Sequence, residues 1–119
     1  MSFKFTNDKP IFMQLADILK GLIVSGRFKV NDKLPSVREF ALEYSINPNT
    51  VQKALQILEE DGLIITDRTN GKYVADNENV VKQEKSKLIK IEVDTFFKKM
   101  QSLGLDEEEI KSIINEVRK

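Results

Sequence analysis

A run of polar side chains follows a helix-start signal near the middle of the chain. Asn47 is a favourable N-cap residue, and Pro48 occupies the first helical position, where its missing N–H costs nothing. The polar residues that follow are Asn49, Thr50, Gln52 and Lys53. Carboxamides can pair with adenine through two hydrogen bonds, and a lysine ammonium can donate to guanine. A helix that begins in this way has the chemistry to read base edges in a DNA groove.

Apolar residues in the same segment determine which side chains point outward. The predicted helix runs from Pro48 to about Asp61, and its inner face carries Val51, Ala54, Leu55 and Leu58. The polar residues named above are left on its outer side.

A second helix-start signal precedes the first. Ser36 followed by Glu39 forms a capping box, which predicts a helix from Ser36 to about Tyr44. A short helix, a tight turn and a second helix form a helix-turn-helix. The second helix of such a unit can lie in the DNA major groove.

The composition excludes several kinds of active site. The 119 residues include no cysteine and no histidine, so disulfides, the usual zinc sites and histidine-based catalysis are absent. The carboxylates form no inward pair, and there is no glycine-rich phosphate loop. We therefore predict no catalytic residues, no metal and no cofactor, in a protein that is not an enzyme. With no secretory signal and no apolar run near the roughly 20 residues of a membrane span, we expect a cytoplasmic protein without a membrane partner.

The charge balance is unusual for a protein that binds nucleic acid. Net charge is zero, and residues 1–76 carry ten Lys or Arg against ten Asp or Glu. A DNA-binding domain is usually basic. Any positive surface must therefore be local.

The flanking segments complete a winged helix, a mainly α fold with a small β-hairpin. Pro10 opens a predicted amphipathic helix that ends near Ser25, with Gly26 as its expected C-cap. It follows a loose arm that contains Phe3 and Phe5. After the helix-turn-helix, the apolar runs at 63–65 and 72–74 flank Asn70-Gly71, a strong hairpin signal. We assign this DNA-binding domain to residues 1–76.

Residues 77–119 are predicted to form a helical dimerisation tail. One helix is expected from about Asn79 to Leu103, and Asp106 caps a second. Their apolar stripes consist of Ile89, Val93, Phe96, Phe97, Met100, Leu103, Ile110, Ile113, Ile114 and Val117. A pair of helices this small has no core of its own, so burial against a second copy is favoured. The alternative is that both helices fold back on the winged helix.

Several short motifs occur at a characteristic spacing between residues 10 and 75. They are Pro10-Ile11-Phe12 with Gln14, Ser25-Gly26, Leu34-Pro35-Ser36 with Arg38-Glu39, Asn47 to Val51, and Glu59 to Leu63. This pattern resembles the winged-helix domain of GntR-type bacterial transcriptional regulators. The short tail is similar to that of the YtrA-type subfamily. Two positions depart from the family pattern: Asn31 replaces a usual glycine, and the wing at 68–72 keeps one glycine and fewer charges.

The resemblance implies a function as well as a fold. It implies a sequence-specific DNA-binding regulator that acts as a homodimeric repressor, on an ABC-transporter operon by analogy with the subfamily. It also implies DNA contacts from Arg38 and from the wing tip, Asn70-Gly71. Together with the residue chemistry, the predicted DNA-binding set is Ser36, Arg38, Asn49, Thr50, Gln52, Lys53, Asn70, Gly71 and Lys72.

Other interpretations remain open at this point. Lys72 and Arg68 could instead be charges at a strand edge. The winged helix could be a protein-protein interaction module without DNA readout, which would agree with the zero net charge. The sequence allows a small-molecule effector but indicates none. The expected partners are double-stranded operator DNA, with a pseudo-palindromic sequence, and a second copy of the chain.

Overall fold

The computed structural model describes residues 4–119, and Phe3 of the predicted arm lies outside them. The described residues form five helices and one two-stranded antiparallel sheet. In chain order the elements are α1 (Ile11–Val24), α2 (Val37–Tyr44), α3 (Pro48–Glu60), β1 (Ile64–Asp67), β2 (Gly71–Val74), α4 (Glu78–Ser102) and α5 (Glu107–Val117). The predicted fold class, mainly α with a small hairpin, is confirmed.

Helix α3 is the centre of the winged-helix core. Both α1 and α2 pack against it, because each of the three helices has one apolar stripe. The most deeply buried side chains are Leu15, Leu19, Phe40, Val51, Leu55, Leu58, Leu63 and Val74. All four residues of the predicted inner face of α3 are buried. Phe5 of the arm packs partly against the same core.

The hairpin is longer than predicted at its first strand. Ile64 pairs with Val74 and Asp67 with Gly71, so β1 continues two residues beyond the apolar run. The loop before α2 joins the sheet as well, since Lys33 bridges Tyr73 and the Leu34 N–H donates to the Lys72 carbonyl at 2.9 Å. The wing is thereby attached to the start of the helix-turn-helix.

Helix ends differ from expectation by about one residue. Ser36 and Pro10 are N-caps just outside α2 and α1, and Ser25, with Gly26 after it at φ +86°, is the C-cap of α1. Asn31 has φ +70°, the left-handed conformation in which it can replace glycine. Ser45 ends α2 with φ +56°, which no sequence signal predicted.

The chain divides into two compact units between Lys85 and Ser86. The first unit includes the first turns of α4, where Val80 and Val81 pack partly against the winged-helix core. The functional boundary after residue 76 stays a prediction.

The second unit contains the rest of α4 and all of α5. Asp106 and Glu109 form the expected capping box, with the Glu109 N–H donating to Asp106 Oδ1 at 2.9 Å. Ile110 is buried, and Phe97 and Met100 are half-buried. The remaining members of the apolar stripes are exposed in the single chain: Ile89, Val93, Phe96, Leu103, Ile113, Ile114 and Val117. Within residues 4–119, no helix has the length and apolar character needed to cross a membrane.

The core position of α3 predicts a large difference between two leucine truncations. Leu55→Ala removes a side chain that is 1% exposed and should lower the free energy of unfolding by about 3 kcal/mol. Leu42→Ala removes one that is 76% exposed and should change it by less than about 0.5 kcal/mol. Urea unfolding followed by circular dichroism measures both. Equal effects would contradict the assigned packing.

Candidate nucleic-acid interface

The start of α3 is held by Asn47. Its Oδ1 accepts the Asn49 N–H at 2.8 Å, and its carbonyl accepts the Thr50 N–H at 2.9 Å. Because Val51 and Ala54 are fully buried, the intervening side chains face away from the core. Asn49, Gln52 and Lys53 are exposed and Thr50 is half-buried. The α3 N-terminal turns therefore present the predicted polar edge.

The start of α2 is fixed by the Ser36–Glu39 capping box. The Glu39 N–H donates to Ser36 Oγ at 3.1 Å, and the Ser36 N–H donates to Glu39 Oε1 at 2.9 Å. These hydrogen bonds, first from the Ser36 backbone and then from its side chain, lower the pKa of the Glu39 carboxyl. Ser36 is thus a structural cap whose hydroxyl is engaged with Glu39.

Arg38 lies on the first turn of α2 with its side chain exposed. Among residues 4–119 its guanidinium has no hydrogen-bond or ion-pair partner. An arginine that carries a full charge and no internal partner is free to bind a phosphate or a guanine.

A groove separates the beginning of α2 from the wing, and its lining combines basic and small residues with the carboxylates of Glu39 and Asp67. Among its lining residues are Lys33, Ser36, Arg68, Asn70, Gly71 and Lys72. Gly71 has φ +104°, a backbone conformation that a residue with a Cβ rarely adopts. The Asp67 carboxylate accepts hydrogen bonds from Thr69 and Asn70, which shape the wing tip and lower the pKa of Asp67. The predicted wing residues therefore share a groove with the α2 cap.

A second groove joins α2, α3 and β2. It is lined by Val37, Gln52, Gln56, Glu59 and Lys72. Two predicted contacts from distant parts of the chain, Gln52 and Lys72, are therefore brought together. Lys72 lines both grooves, so they are adjacent at the base of the wing.

The predicted DNA-binding residues do not all lie together around the two grooves. The Lys53 ammonium lies 5.7 Å from the centre of the Phe12 ring, a cation–π contact that directs it toward α1. Arg38, Asn49 and Thr50 belong to neither groove. The set divides into a group at the base of the wing and a group along the outer edges of α2 and α3.

Sequence reasoning missed two residues that hold Lys72. Its Nζ lies 2.5 Å from Glu59 Oε1 and 2.8 Å from Thr66 Oγ1. Glu59 follows Gln52 and Gln56 at helical spacings of seven and three residues, which places the three side chains on one face of α3. The helical spacing of Gln52, Gln56 and Glu59 can be read from the sequence. The strand register that places Lys72 of β2 beside Glu59 cannot.

A three-helix core, a hairpin wing and an exposed polar edge on α3 define a winged-helix DNA-binding protein. Residues 13–74 match the family model described as "Bacterial regulatory proteins, gntR family". The chain belongs to this family of DNA-binding transcriptional regulators, as its motifs predicted, and it is not an enzyme. The interpretation as an interaction module without DNA readout is set aside.

Full-length similarity extends beyond the winged helix. The chain is 37% identical to the HTH-type transcriptional regulator YhcF of Bacillus subtilis over 92% of this chain and 91% of that protein. It is also 37% identical to the HTH-type transcriptional repressor YtrA of the same organism, over 91% of this chain and 84% of that protein. A solved GntR family transcriptional regulator from Listeria monocytogenes has a TM-score of 0.86 and 34% identity, covering 94% of this chain and 98% of its own.

The α2 cap predicts a specific pH dependence. A carboxyl whose folded pKa is lowered stabilises the fold above its unfolded pKa, about 4.3 for glutamate, and loses that contribution as pH falls through the lowered value. Glu39→Gln keeps a hydrogen-bonding side chain without the charge. The parent should therefore be more stable than Glu39→Gln at neutral pH, and the difference should shrink below about pH 4.

Chemical unfolding at a series of pH values measures this difference. Glu43→Gln, which removes a carboxylate from α2 outside the cap, is the matched control and should show no comparable advantage of the parent. A parent advantage over Glu39→Gln that persists undiminished in acid would contradict the assignment.

Proposed function

We propose that the chain is a transcriptional repressor that binds a pseudo-palindromic operator as a homodimer. The observation that carries the proposal is the meeting of the α2 cap, the exposed face of α3 and the wing around two adjacent grooves. In a winged helix of this design, α3 enters the major groove and the wing approaches the adjacent minor groove. The winged-helix domain, residues 1–76, supplies the DNA contacts, and the tail, residues 77–119, pairs the two copies.

The predicted contacts take different roles in this complex. Asn49 and Gln52 are placed to read adenine, and Lys53 can donate to guanine or to a phosphate. Arg38 is the strongest candidate for a charged contact, because it is exposed and has no internal partner among residues 4–119. Thr50, Ser36 and the wing-tip residues Asn70 and Gly71 complete the surface, mainly toward the sugar-phosphate backbone, and Lys72 lies beside them at the base of the wing.

Dimerisation is supported by the apolar surface of the second unit. Ile89, Val93 and Phe96 are each at least 41% exposed in the single chain and lie on one face of α4. On α5, Ile113, Ile114 and Val117 are 39%, 37% and 73% exposed and also share one face of the helix. An apolar surface of this kind is typical of an interface, and a second copy of the chain is the simplest partner that buries it.

The repressor role is supported by a named relative. YtrA of Bacillus subtilis is described as a repressor, and this chain matches 84% of its length. A dimer bound across an operator can block access of the transcription machinery. By the subfamily resemblance, an ABC-transporter operon is the proposed target.

Removing the unpaired arginine should weaken DNA binding. Arg38→Ala should lower affinity for the chain's own upstream DNA by roughly ten-fold or more, since a hydrogen bond to a charged group contributes about 1.5–3 kcal/mol. It should also reduce the salt dependence of binding, because each phosphate contact contributes about 0.9 to the slope. Electrophoretic mobility shift and fluorescence anisotropy measure these effects.

The matched control is Arg27→Ala. Arg27 is also an exposed arginine, but it lies in the turn after α1, outside the helix-turn-helix and the wing. It should change affinity by less than about two-fold, as expected for a surface charge that makes no contact. Equal behaviour of the two variants, or no shift of upstream DNA by the parent, would contradict the proposed DNA surface.

The proposed dimer is tested by a charge placed on the apolar stripe. Val93→Glu should convert the dimer to a single chain, because it buries an unpaired carboxylate in the interface. Ile91→Glu is the control, since Ile91 is also exposed but projects about 160° away from Val93 around the helix. Sedimentation equilibrium gives the mass of each. A parent that sediments as a single chain, or loss of the dimer in Ile91→Glu alone, would refute the arrangement.

A further inference from the structure

Lys72, in the second strand of the wing, forms an ion pair with Glu59 and a hydrogen bond with Thr66. We propose that Glu59 withholds Lys72 from the DNA backbone, and that this sets the affinity and the salt dependence of DNA binding. Glu59 acts here as a positioning residue, through Lys72. The inference rests on the proposed DNA surface and adds to it a residue that opposes binding.

Three side chains form a closed set of contacts at the base of the wing. The Lys72 ammonium donates to Glu59 Oε1 at 2.5 Å and to Thr66 Oγ1 at 2.8 Å. The Thr66 hydroxyl in turn donates to Glu59 Oε1 at 2.6 Å. Two of the three ammonium protons are therefore used within the protein, and the positive charge is balanced by a carboxylate in direct contact.

The same three contacts lie at the proposed DNA surface. Glu59 and Lys72 line the groove that also contains Gln52 and Gln56 of α3. The side chains of Lys72 and Glu59 are 24% and 36% exposed, so the pair is partly accessible to a competing phosphate. Hydrogen bonds from Lys72 and then from Thr66 lower the pKa of Glu59, which keeps the carboxylate charged at neutral pH.

An internal ion pair changes how a lysine contributes to DNA binding. A lysine that neutralises a phosphate releases counterions, and this release gives binding its salt dependence. A lysine already neutralised by a carboxylate releases none when it stays in that pair. Lys72 therefore differs from Arg38, whose charge has no partner within residues 4–119. Lys72 therefore adds little electrostatic affinity for DNA, whereas Arg38 adds the full contribution of an unpaired cation.

The test compares three variants of the full chain on a duplex of arbitrary sequence. Glu59→Gln removes the carboxylate and frees Lys72, whereas Glu59→Gln with Lys72→Gln removes both charges together. Glu60→Gln is the matched control, because Glu60 is exposed on the next position of α3 and has no ion-pair partner among residues 4–119. Fluorescence anisotropy at a series of salt concentrations gives the affinity and its slope.

Glu59→Gln should bind several-fold more tightly than the parent at low salt. Its slope of log K against log salt should be steeper by about 0.9 for each chain that gains a phosphate contact. The double variant should return to the slope of the parent, since Lys72 contacts a DNA phosphate in neither of them. Glu60→Gln should show a much smaller change in slope.

Three results would overturn the inference. The first is an unchanged salt slope in Glu59→Gln. The second is a smaller slope in the double variant than in the parent, which would mean that Lys72 already contacts a phosphate in the parent. The third is an equally steeper slope in Glu60→Gln, which would indicate a general charge effect. A loss of wing structure would affect Glu59→Gln and the double variant alike, so their difference still reports Lys72. If Arg38→Ala weakens binding while Glu59→Gln changes nothing, only this inference fails. If Arg38→Ala has no effect, the proposed DNA surface fails first.

Discussion

Burial of one face of α3 is the constraint on which the rest of the molecule depends. Val51, Ala54, Leu55 and Leu58 are at most 1% exposed, so the helix cannot rotate about its axis without exposing a core residue. This fixes the direction of its polar side chains as firmly as any direct contact. Since α1 and α2 pack against α3 and β1 follows directly from it, the same burial also positions the α2 cap and the wing.

The winged helix combines a net charge of zero with both paired and unpaired basic side chains. The winged helix holds equal numbers of acidic and basic residues, yet they are not equivalent. Lys72 is balanced by Glu59 at 2.5 Å and Lys20 by Asp61 at 2.7 Å, whereas Arg38 has no such partner among residues 4–119. A neutral total can therefore coexist with a local positive site, because the paired charges contribute little to the field at a distance.

Local sequence signals predicted the fold well because they act over a few residues. The capping boxes at Ser36 and Asp106 and the apolar spacing of α3 were each readable within about two helical turns. Two features depended on long-range register and could not be read in this way. Lys72 and Glu59 are 13 residues apart in the sequence, and they pair only because β2 lies beside α3. Lys53 contacts Phe12 only because α1 lies beside α3. The left-handed Ser45 is imposed by the turn between two packed helices, against the preference of serine.

A winged helix without net charge and a tail with exposed apolar stripes fit together as parts of one binding strategy. Each winged helix has no net positive charge and only a short polar edge on α3, which limits the affinity of one half-site. Joining two copies makes the second contact effectively intramolecular and can raise affinity by orders of magnitude without any new contact. Because most non-specific affinity is electrostatic, a neutral domain gains little on DNA that lacks the matching bases. In the proposed dimer, tight binding would then require two half-sites at the correct spacing, and the apolar tail would contribute to specificity as much as the residues that touch DNA.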